Sequence, residues 1–209
     1  MSDAAVERLP GRRGQQTRRR LLDSTMALIV TISYRDVKVV DIARDAGTSP
    51  ATFYQYFADV EEAVLALSDE MASVVGPLLA SLVSSSSWTD ADGWAAALRV
   101  ADGFIAVWDA HRPVLRLIDL ATDEGDVRFR KIRTRLLGAP AEAFVVVARR
   151  RGADGGVPFA DAGVLVSMLA HVAAHREGLE QWGATSDELR HSMARVIFMT
   201  ITGTTPPSD

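Results

Sequence analysis

Two histidines, His171 and His175, stand four positions apart in a segment without proline. On a helix this spacing places both imidazole rings on one face, where they can bind a metal ion together. A third ligand would have to come from another helix, for example from His111. The alternative is a polar lining of a pocket or of a helix contact, which we favour because such pairs arise by chance. We expect no metal and no cofactor, and keep an all-α metal-binding protein or enzyme as the alternative function.

Motifs for enzyme catalysis are missing from the sequence. It contains no cysteine, which removes thiolate metal sites and cysteine nucleophiles. It also lacks a G-x-S-x-G segment, a phosphate-binding P-loop and a dinucleotide-binding glycine pattern. We therefore expect a protein that is not an enzyme.

A second candidate is the stretch GTSPATFYQYF, which begins at Gly47 and has four aromatic residues among its last five. Phe53 and Phe57 are one helical turn apart and should be buried together. Tyr54 and Tyr56 fall off that face, so their hydroxyl groups can donate to a phosphate oxygen. The aromatic run therefore indicates a helix with one buried face and one face open to an anionic partner.

The start of the same helix carries short side chains. Ser49, Pro50 and Ala51 allow a close approach to the edges of bases, where small apolar groups can contact a thymine methyl. Gln55 is a further polar group away from the buried face. A helix that leads with such residues is typical of a recognition helix in the major groove of DNA. The alternative, in which all four aromatic residues are core, is disfavoured because only two of them share a face.

Charge is distributed unevenly along the chain, whose net charge is −4. Residues 1–57 carry nine Lys/Arg against six Asp/Glu, whereas residues 58–209 carry fourteen against twenty-one. The basic part is rich in arginine, with Arg8, Arg12, Arg13, Arg18, Arg19 and Arg20. A polyanion-binding unit on an acidic remainder explains this asymmetry, and a solvated tail explains it equally well.

The elements that position these residues all read as helices. Apolar residues recur at helical spacing from Leu21 to Ile32, Gly47 suits a helix end with positive φ, and Pro50 suits a first helical turn. The predicted helices are 15–33, 38–46, 50–57, 59–75 with a continuation to 83 after a break or kink at Gly76 and Pro77, 92–110, 113–121, 126–151, 159–182 and 186–201.

We therefore predict an all-α fold of about nine helices. A three-helix helix-turn-helix forms a DNA-binding domain at 15–58, and a larger helical domain follows at 59–203. A flexible arginine-rich arm at 1–14 precedes them, and a disordered tail at 204–209 follows.

Hydropathy gives no sign of a membrane segment. The N-terminal stretch MSDAAVERLPGRRGQQTRRR lacks the apolar region of a signal peptide. The longest apolar run, from Gly163 to Ala170, is too short to cross a bilayer. We expect a cytoplasmic protein without a membrane partner.

The segment VVDIARDAGTSPATFYQYFADVEEAV, from Val39 to Val64, resembles the DNA-binding segment of TetR-family transcriptional regulators. The resemblance covers about residues 15–65. It implies that the first domain binds a double-stranded DNA operator, and that the second binds a small-molecule effector and forms a homodimer through its last two helices. The expected function is a repressor released from a near-palindromic operator when a small apolar or amphipathic molecule binds.

The resemblance also implies roles for residues, with phosphate contacts from Thr52, Tyr54 and Tyr56 and base contacts around Ser49 and Gln55. The expected DNA-binding residues are Arg12, Arg13, Arg18, Lys38, Thr48, Ser49, Pro50, Ala51, Thr52, Tyr54, Gln55 and Tyr56. The sequence departs from the family at Val60, where a phosphate-binding lysine is common, and at Lys38, where a helix-capping Ser or Thr is usual. We expect the arginine arm to compensate for the missing lysine.

Candidate residues of the second domain are chosen by side-chain type and helical spacing. The expected effector pocket comprises Trp94, Phe104, Trp108, Phe144, Met168, His171 and Trp182. The expected dimer interface comprises Leu165, Leu169, Val172, Met193, Val196 and Ile197. Packing inside a single chain accounts for the same patterns and stays open as the alternative for both sets.

Overall fold

The computed structural model describes residues 11–89, 92–150 and 159–206. Within those ranges the chain forms nine helices and no strand, which confirms the all-α prediction. The helices are α1 (Arg12–Thr31), α2 (Val39–Asp45), α3 (Pro50–Phe53), α4 (Val60–Ser85), α5 (Gly93–Asp123), α6 (Val127–Arg150), α7 (Phe159–Ala174), α8 (Arg176–Glu180) and α9 (Ser186–Thr202). Most of the predicted arm, the predicted loop at 152–158 and the end of the predicted tail lie outside the described residues.

The chain divides into two compact units, Met1–Ser68 and Asp69–Asp209, here called the N-terminal and C-terminal units. The core of the N-terminal unit joins the first four helices. Its buried members are Leu21, Leu22, Val37, Ile42, Ala46, Phe53, Phe57 and Ala63. The hydroxyl of Thr25 is buried beside them and donates to the Leu21 carbonyl at 2.8 Å, so it adds no unpaired polar group to this core.

A tight turn joins α2 to α3. Gly47 has φ of +63°, its amide donates to the Arg44 carbonyl, and the Thr48 amide donates to the Ala43 carbonyl at 2.8 Å. This paired bonding ends α2 in the way that a glycine with positive φ permits. Ser49 then caps α3, because its Oγ accepts from the Thr52 amide at 3.1 Å. The positive φ at Gly47 and the capping of α3 by Ser49 therefore agree with the prediction from the sequence.

The helix after this turn is shorter than predicted. It ends at Phe53, and the amides of Gln55 and Tyr56 donate to the carbonyls three residues earlier, at Thr52 and Phe53. Such bonds wind the chain more tightly than an α-helix, so side chains three apart fall on the same face.

Prolines act differently in the long helices α4 and α5. α4 runs through Gly76 and Pro77 without interruption, so the predicted break there is wrong. α5 is kinked at His111, which has φ of −119° and ψ of 15° and precedes Pro113. A proline inside a helix removes one amide donor and crowds the preceding turn. The non-helical residue lies between the two helices predicted at 92–110 and 113–121, so the division predicted there is confirmed, and the two halves are joined as one bent element.

The last segments of the chain also differ from the prediction. The helix predicted at 159–182 is divided at His175, whose φ of −119° and ψ of 22° separate α7 from α8. α9 begins with a capping box between Thr185 and Glu188 and ends at Gly203 in the left-handed conformation.

The C-terminal unit has its own core. Its largest fully buried side chains include Phe104, Phe129, Phe144, Leu169 and Ile197. By length and composition, α4 is the one described helix that could cross a bilayer, and 44% of its most apolar window is buried inside the protein.

Candidate nucleic-acid interface and effector cleft

The aromatic residues of the helix-turn-helix divide between its interior and its surface. Phe53 and Phe57 are buried, with ring centroids 5.6 Å apart, and they hold α3 against α1 and α2. Tyr54 is 59% exposed and contacts the edge of the Phe53 ring. Its hydroxyl is therefore carried at the surface by a ring fixed against the core.

Tyr56 differs from the expectation, because its side chain is only half-exposed and packs against the core of the N-terminal unit. The tight turn after Phe53 explains this position, since residues three apart lie above one another in such a turn. Tyr54 and Gln55 are exposed beside it. Tyr54 thus presents more of its side chain to a partner than Tyr56 does.

The first turn of α3 is exposed at Ser49, Pro50 and Ala51 and half-exposed at Thr48 and Thr52. The hydroxyl oxygens of Ser49 and Thr52 lie 3.0 Å apart and share a hydrogen bond. Both hydroxyls are therefore oriented before any partner arrives, which lowers the ordering entropy of a contact made there.

The arginines of α1 fall into two groups. Arg12 and Arg13 belong to the exposed first turn of α1, which begins three residues before the predicted start, so they are helical rather than part of a flexible arm. Arg18 is half-buried, with its guanidinium carbon 5.5 Å from the centre of the Phe57 ring. Arg18 therefore stabilises the N-terminal unit through a cation–π contact.

Two departures from the family pattern are visible in the structure. Lys38 occupies the N-cap position of α2, and no hydrogen bond from its side chain caps the helix within the described residues. Its exposed ammonium is available for a phosphate. Val60 is half-buried against the core of the N-terminal unit and supplies packing instead of charge.

A cleft of roughly 430 Å³ opens in the C-terminal unit. It is lined by Trp108, Arg112, Leu115, Arg116, Asp119, Asp123, Arg133, His171, Ala174 and His175. Of the seven expected pocket residues, only Trp108 and His171 line this cleft. Its polar side chains were missed because we searched for apolar ones. The available signal was the recurrence of charged residues on α5 at positions 112, 116, 119 and 123, which lie on one face.

The other expected pocket residues have different environments. Phe104 and Phe144 are fully buried, and Phe104 stacks on Trp108 with centroids 6.1 Å apart. Trp94 packs edge-on against Phe198. Trp182 is 85% exposed. Met168 is half-buried and does not line this cleft. The core alternative therefore accounts for Phe104 and Phe144.

Charges at one end of the cleft are joined in an ion-pair network. Arg112 contacts Asp109 at 3.2 Å and Glu177 at 2.5 Å, and Arg176 donates to Asp109 at 2.9 Å. Burial raises the pKa of Asp109, but the hydrogen bonds from Arg176 and Arg112 outweigh it and bring that pKa below its usual value. Arg112 lowers the pKa of Glu177 in the same way.

The two histidines of the cleft stack on each other, with ring centroids 4.2 Å apart. His175 Nδ1 lies 3.0 Å from the carbonyl oxygen of His171, within hydrogen-bond distance. The described residues contain no group of three or more His, Cys, Asp or Glu side chains arranged to hold a metal ion. The metal-binding alternative therefore has no support.

The expected dimer residues lie mostly inside the single chain. Leu165, Leu169, Met193 and Ile197 are at most 3% exposed. For these four the interface assignment is corrected, because their side chains pack in the core of the C-terminal unit and offer no surface to a second copy. Val172 is half-exposed and Val196 is 38% exposed, so these two remain at the surface.

The fold and the exposed first turn of α3 define a helix-turn-helix DNA-binding protein. A family model described as "Bacterial regulatory proteins, tetR family" matches residues 21–67, and one described as "Tetracyclin repressor-like, C-terminal domain" matches residues 79–208. The chain therefore belongs to the TetR family and is a DNA-binding transcriptional regulator. A curated relative, an uncharacterized HTH-type transcriptional regulator of Haemophilus influenzae, is 32% identical over 66 residues, which make up 31% of this chain and 32% of that protein. The match thus spans about a third of the relative's length.

Solved structures share the whole fold at low sequence identity. The fatty acid degradation regulator FadR from Bacillus halodurans aligns with a TM-score of 0.66 and 14% identity, covering 94% of this chain and 98% of that one. A putative TetR-family regulator from Mesorhizobium loti aligns with a TM-score of 0.65 and 20% identity, covering 91% and 98%. FadR from Bacillus subtilis in complex with stearoyl-CoA aligns with a TM-score of 0.63 and 14% identity, covering 89% and 98%.

Proposed function

We propose that this regulator is a ligand-responsive repressor that binds a near-palindromic operator as a homodimer and is released when a small molecule occupies its C-terminal domain. Residues 15–58 form the DNA-binding domain and residues 59–203 the effector and dimerisation domain. The observation that carries the proposal is the exposed first turn of α3, whose Ser49 and Thr52 hydroxyls are fixed by each other beside the buried Phe53.

At the DNA, α3 enters the major groove with its first turn leading. Ser49, Pro50 and Ala51 approach base edges, while Tyr54 and Lys38 donate to phosphates on either side. Arg12 and Arg13 extend the phosphate contacts from the start of α1. This division assigns sequence readout to the short side chains and orientation to the longer polar ones.

A second copy covers an apolar face formed by α7 and α9. Val164 is 69% exposed and Met199 45% exposed, and Met168 and Val196 lie one turn from them on the same helices. Two such faces pack as a four-helix bundle across a two-fold axis. The dimer then presents two α3 helices to major grooves about 34–36 Å apart.

Effector binding reaches the DNA-binding domain through α6 and α4. Arg133 contacts Asp119 at 2.8 Å beside the cleft, and Arg135, two positions further along α6, donates to Asp69 of α4 at 2.6 Å. A ligand that shifts α6 therefore moves α4 and changes the separation of the two α3 helices. The structurally similar FadR of Bacillus subtilis holds stearoyl-CoA, which supports a small-molecule site in this fold. Such regulators act on DNA in the cytoplasm.

The test begins with selection of DNA fragments that the purified protein retains, followed by affinity measurements on the enriched sequence. Tyr54→Phe removes one phosphate donor and should lower operator affinity by roughly three- to tenfold, with an unchanged circular dichroism spectrum. Tyr34→Phe, at the remaining tyrosine outside the recognition segment, is the matched control. If the two variants bind the operator with equal affinity, Tyr54 does not contact the DNA. If the selection enriches no DNA sequence at all, the proposal is contradicted.

A further inference from the structure

Among the described residues, one arginine of the cleft has no hydrogen-bond or ion-pair partner, although, together with Arg112, it lies close enough to Glu177 to lower the pKa of that carboxyl. Arg133 is paired with Asp119, and Arg112 is paired with Asp109 and Glu177. Arg116 lines the cleft and is exposed, and among the described residues its guanidinium makes no hydrogen bond or ion pair. An exposed guanidinium offers five donors in a fork that matches a carboxylate or a phosphate.

The groups that line the cleft with Arg116 also suit an anion. The imidazole of His171 can donate to an anionic oxygen, whereas the Nδ1–H of His175 already faces the His171 carbonyl oxygen. Asp123, which has no hydrogen-bond or ion-pair partner within the described ranges, lies seven positions from Arg116 on α5, about 10 Å along the helix axis. The cleft is therefore cationic at Arg116 and acidic further along, which orients a ligand with one charged end.

The remaining lining is apolar. Trp108 and Leu115 are at most 5% exposed and, with Ala174, form the floor of the cleft. Phe104 stacks behind Trp108 and fixes the indole in place. A volume of roughly 430 Å³ is within the usual range for small-molecule sites. Such a floor suits a ligand with an aromatic or aliphatic body.

We propose that the cleft binds a small organic anion, with a single carboxylate or phosphate on Arg116 beside the stacked imidazoles and an apolar body against Trp108 and Leu115. This inference rests on the proposed function, since it names the class of effector. It also sharpens the expectation of a small apolar or amphipathic ligand, because only an anionic group can form a charge-assisted hydrogen bond with the exposed Arg116 guanidinium.

Titration calorimetry with matched sets of ligands tests the proposal. The probes are 2-naphthoate, 2-naphthyl phosphate and 2-naphthol, together with decanoate, decyl phosphate and decanol. In at least one set the anions should bind more tightly than the alcohol. Arg116→Gln should weaken anion binding roughly tenfold or more and leave alcohol binding unchanged. Arg99→Gln, at an exposed arginine of the same helix outside the cleft, is the matched control.

The outcomes separate this inference from the proposed function. A preference for the acid or for the phosphate within a set identifies the anionic group. The inference is overturned if no anion binds more tightly than its alcohol, or if Arg116→Gln and Arg99→Gln bind anions equally. Operator affinity is measured in parallel. If the protein binds its operator but does not prefer anions, only the inferred class of effector is wrong. If it binds anions but no operator, the proposed function is wrong.

Discussion

Gly76 of α4 lies against the backbone of Leu136 in α6. A Cβ atom at Gly76 would be 3.2 Å from the Leu136 carbonyl oxygen and 3.5 Å from its Cα. The two helices approach at this point because one of them has no side chain. Arg135, the residue before Leu136, donates to both the carboxylate and the main-chain carbonyl of Asp69, so α4 and α6 are joined at two neighbouring places.

This close approach predicts opposite effects for two glycine substitutions. Gly76→Ala should lower the free energy of unfolding by about 1–2 kcal/mol, because the clash with a backbone atom exceeds the gain in helix propensity. Gly138→Ala, in α6 with open space around the position, should raise it by about 0.5–1 kcal/mol. Urea unfolding of both variants measures the two free-energy changes. A higher free energy of unfolding for Gly76→Ala would contradict the prediction, because it would show that α6 can move away from the added methyl group at no net cost.

The arginines at the start of α1 should govern the salt dependence of DNA binding. Replacing Arg12 and Arg13 by alanine removes two expected phosphate contacts, so the slope of log affinity against log salt should fall in magnitude by about 1.8. Affinity measurements on the selected operator between low and physiological salt give the slope. Arg99→Ala in the C-terminal unit should leave it unchanged, and an unchanged slope in the double variant would place both arginines away from the phosphates.

Oligomeric state should depend on the exposed face of α7. Val164→Glu places a charge in the proposed dimer interface and should convert the dimer to a monomer. Val74 in α4 has nearly the same exposure, 67% against 69%, and Val74→Glu is the matched control that should remain dimeric. Size-exclusion chromatography with light scattering distinguishes the two. A dimeric Val164→Glu variant would place the interface elsewhere.

Stability in acid should reflect the network between α5 and α8. The folded-state pKa values of Asp109 and Glu177 lie below their unfolded values, so the stabilisation is complete above about pH 4.5 and is lost as the pH falls through the folded values. Glu177→Gln should lower the thermal midpoint at pH 7, and its difference from wild type should shrink below pH 4. Glu142→Gln, at an exposed carboxylate on α6, is the control. A difference that grows in acid would contradict this assignment.

The parts of the fold that sequence predicted well are those set by neighbouring residues. The turn at Gly47, the cap at Ser49 and the inward direction of Phe53 and Phe57 depend on backbone conformation and one helical turn of spacing. Tyr56 could not be placed, because the chain winds more tightly after Phe53 than the α-helical spacing used to predict it.

Tertiary packing determines how each proline affects its helix and where each apolar side chain lies, so the sequence alone could not predict these features. Pro77 and Pro113 carry the same local signal, yet α4 continues past Pro77 against α6 while α5 bends before Pro113. Similarly, the apolar residues Phe144 and Leu165 suit a core, a pocket or an interface equally well, since all three bury the same kind of side chain. Only the packing of whole helices assigns them to the core.

The kink in α5 divides the helix into two halves that contact different parts of the C-terminal unit. The first half is held to α9, through Asp102 with Arg190 and through Gly93 beside the Phe198 ring. The second half forms one wall of the cleft, where Asp119 meets Arg133. Because the helix axis changes direction at His111, the cleft wall beyond this residue is separated from the α9 contact, and Trp108 is the one α5 residue before the kink that lines the cleft among the described residues. The proposed anion contact of Arg116 and the Asp102–Arg190 ion pair with α9 therefore lie on opposite sides of the kink.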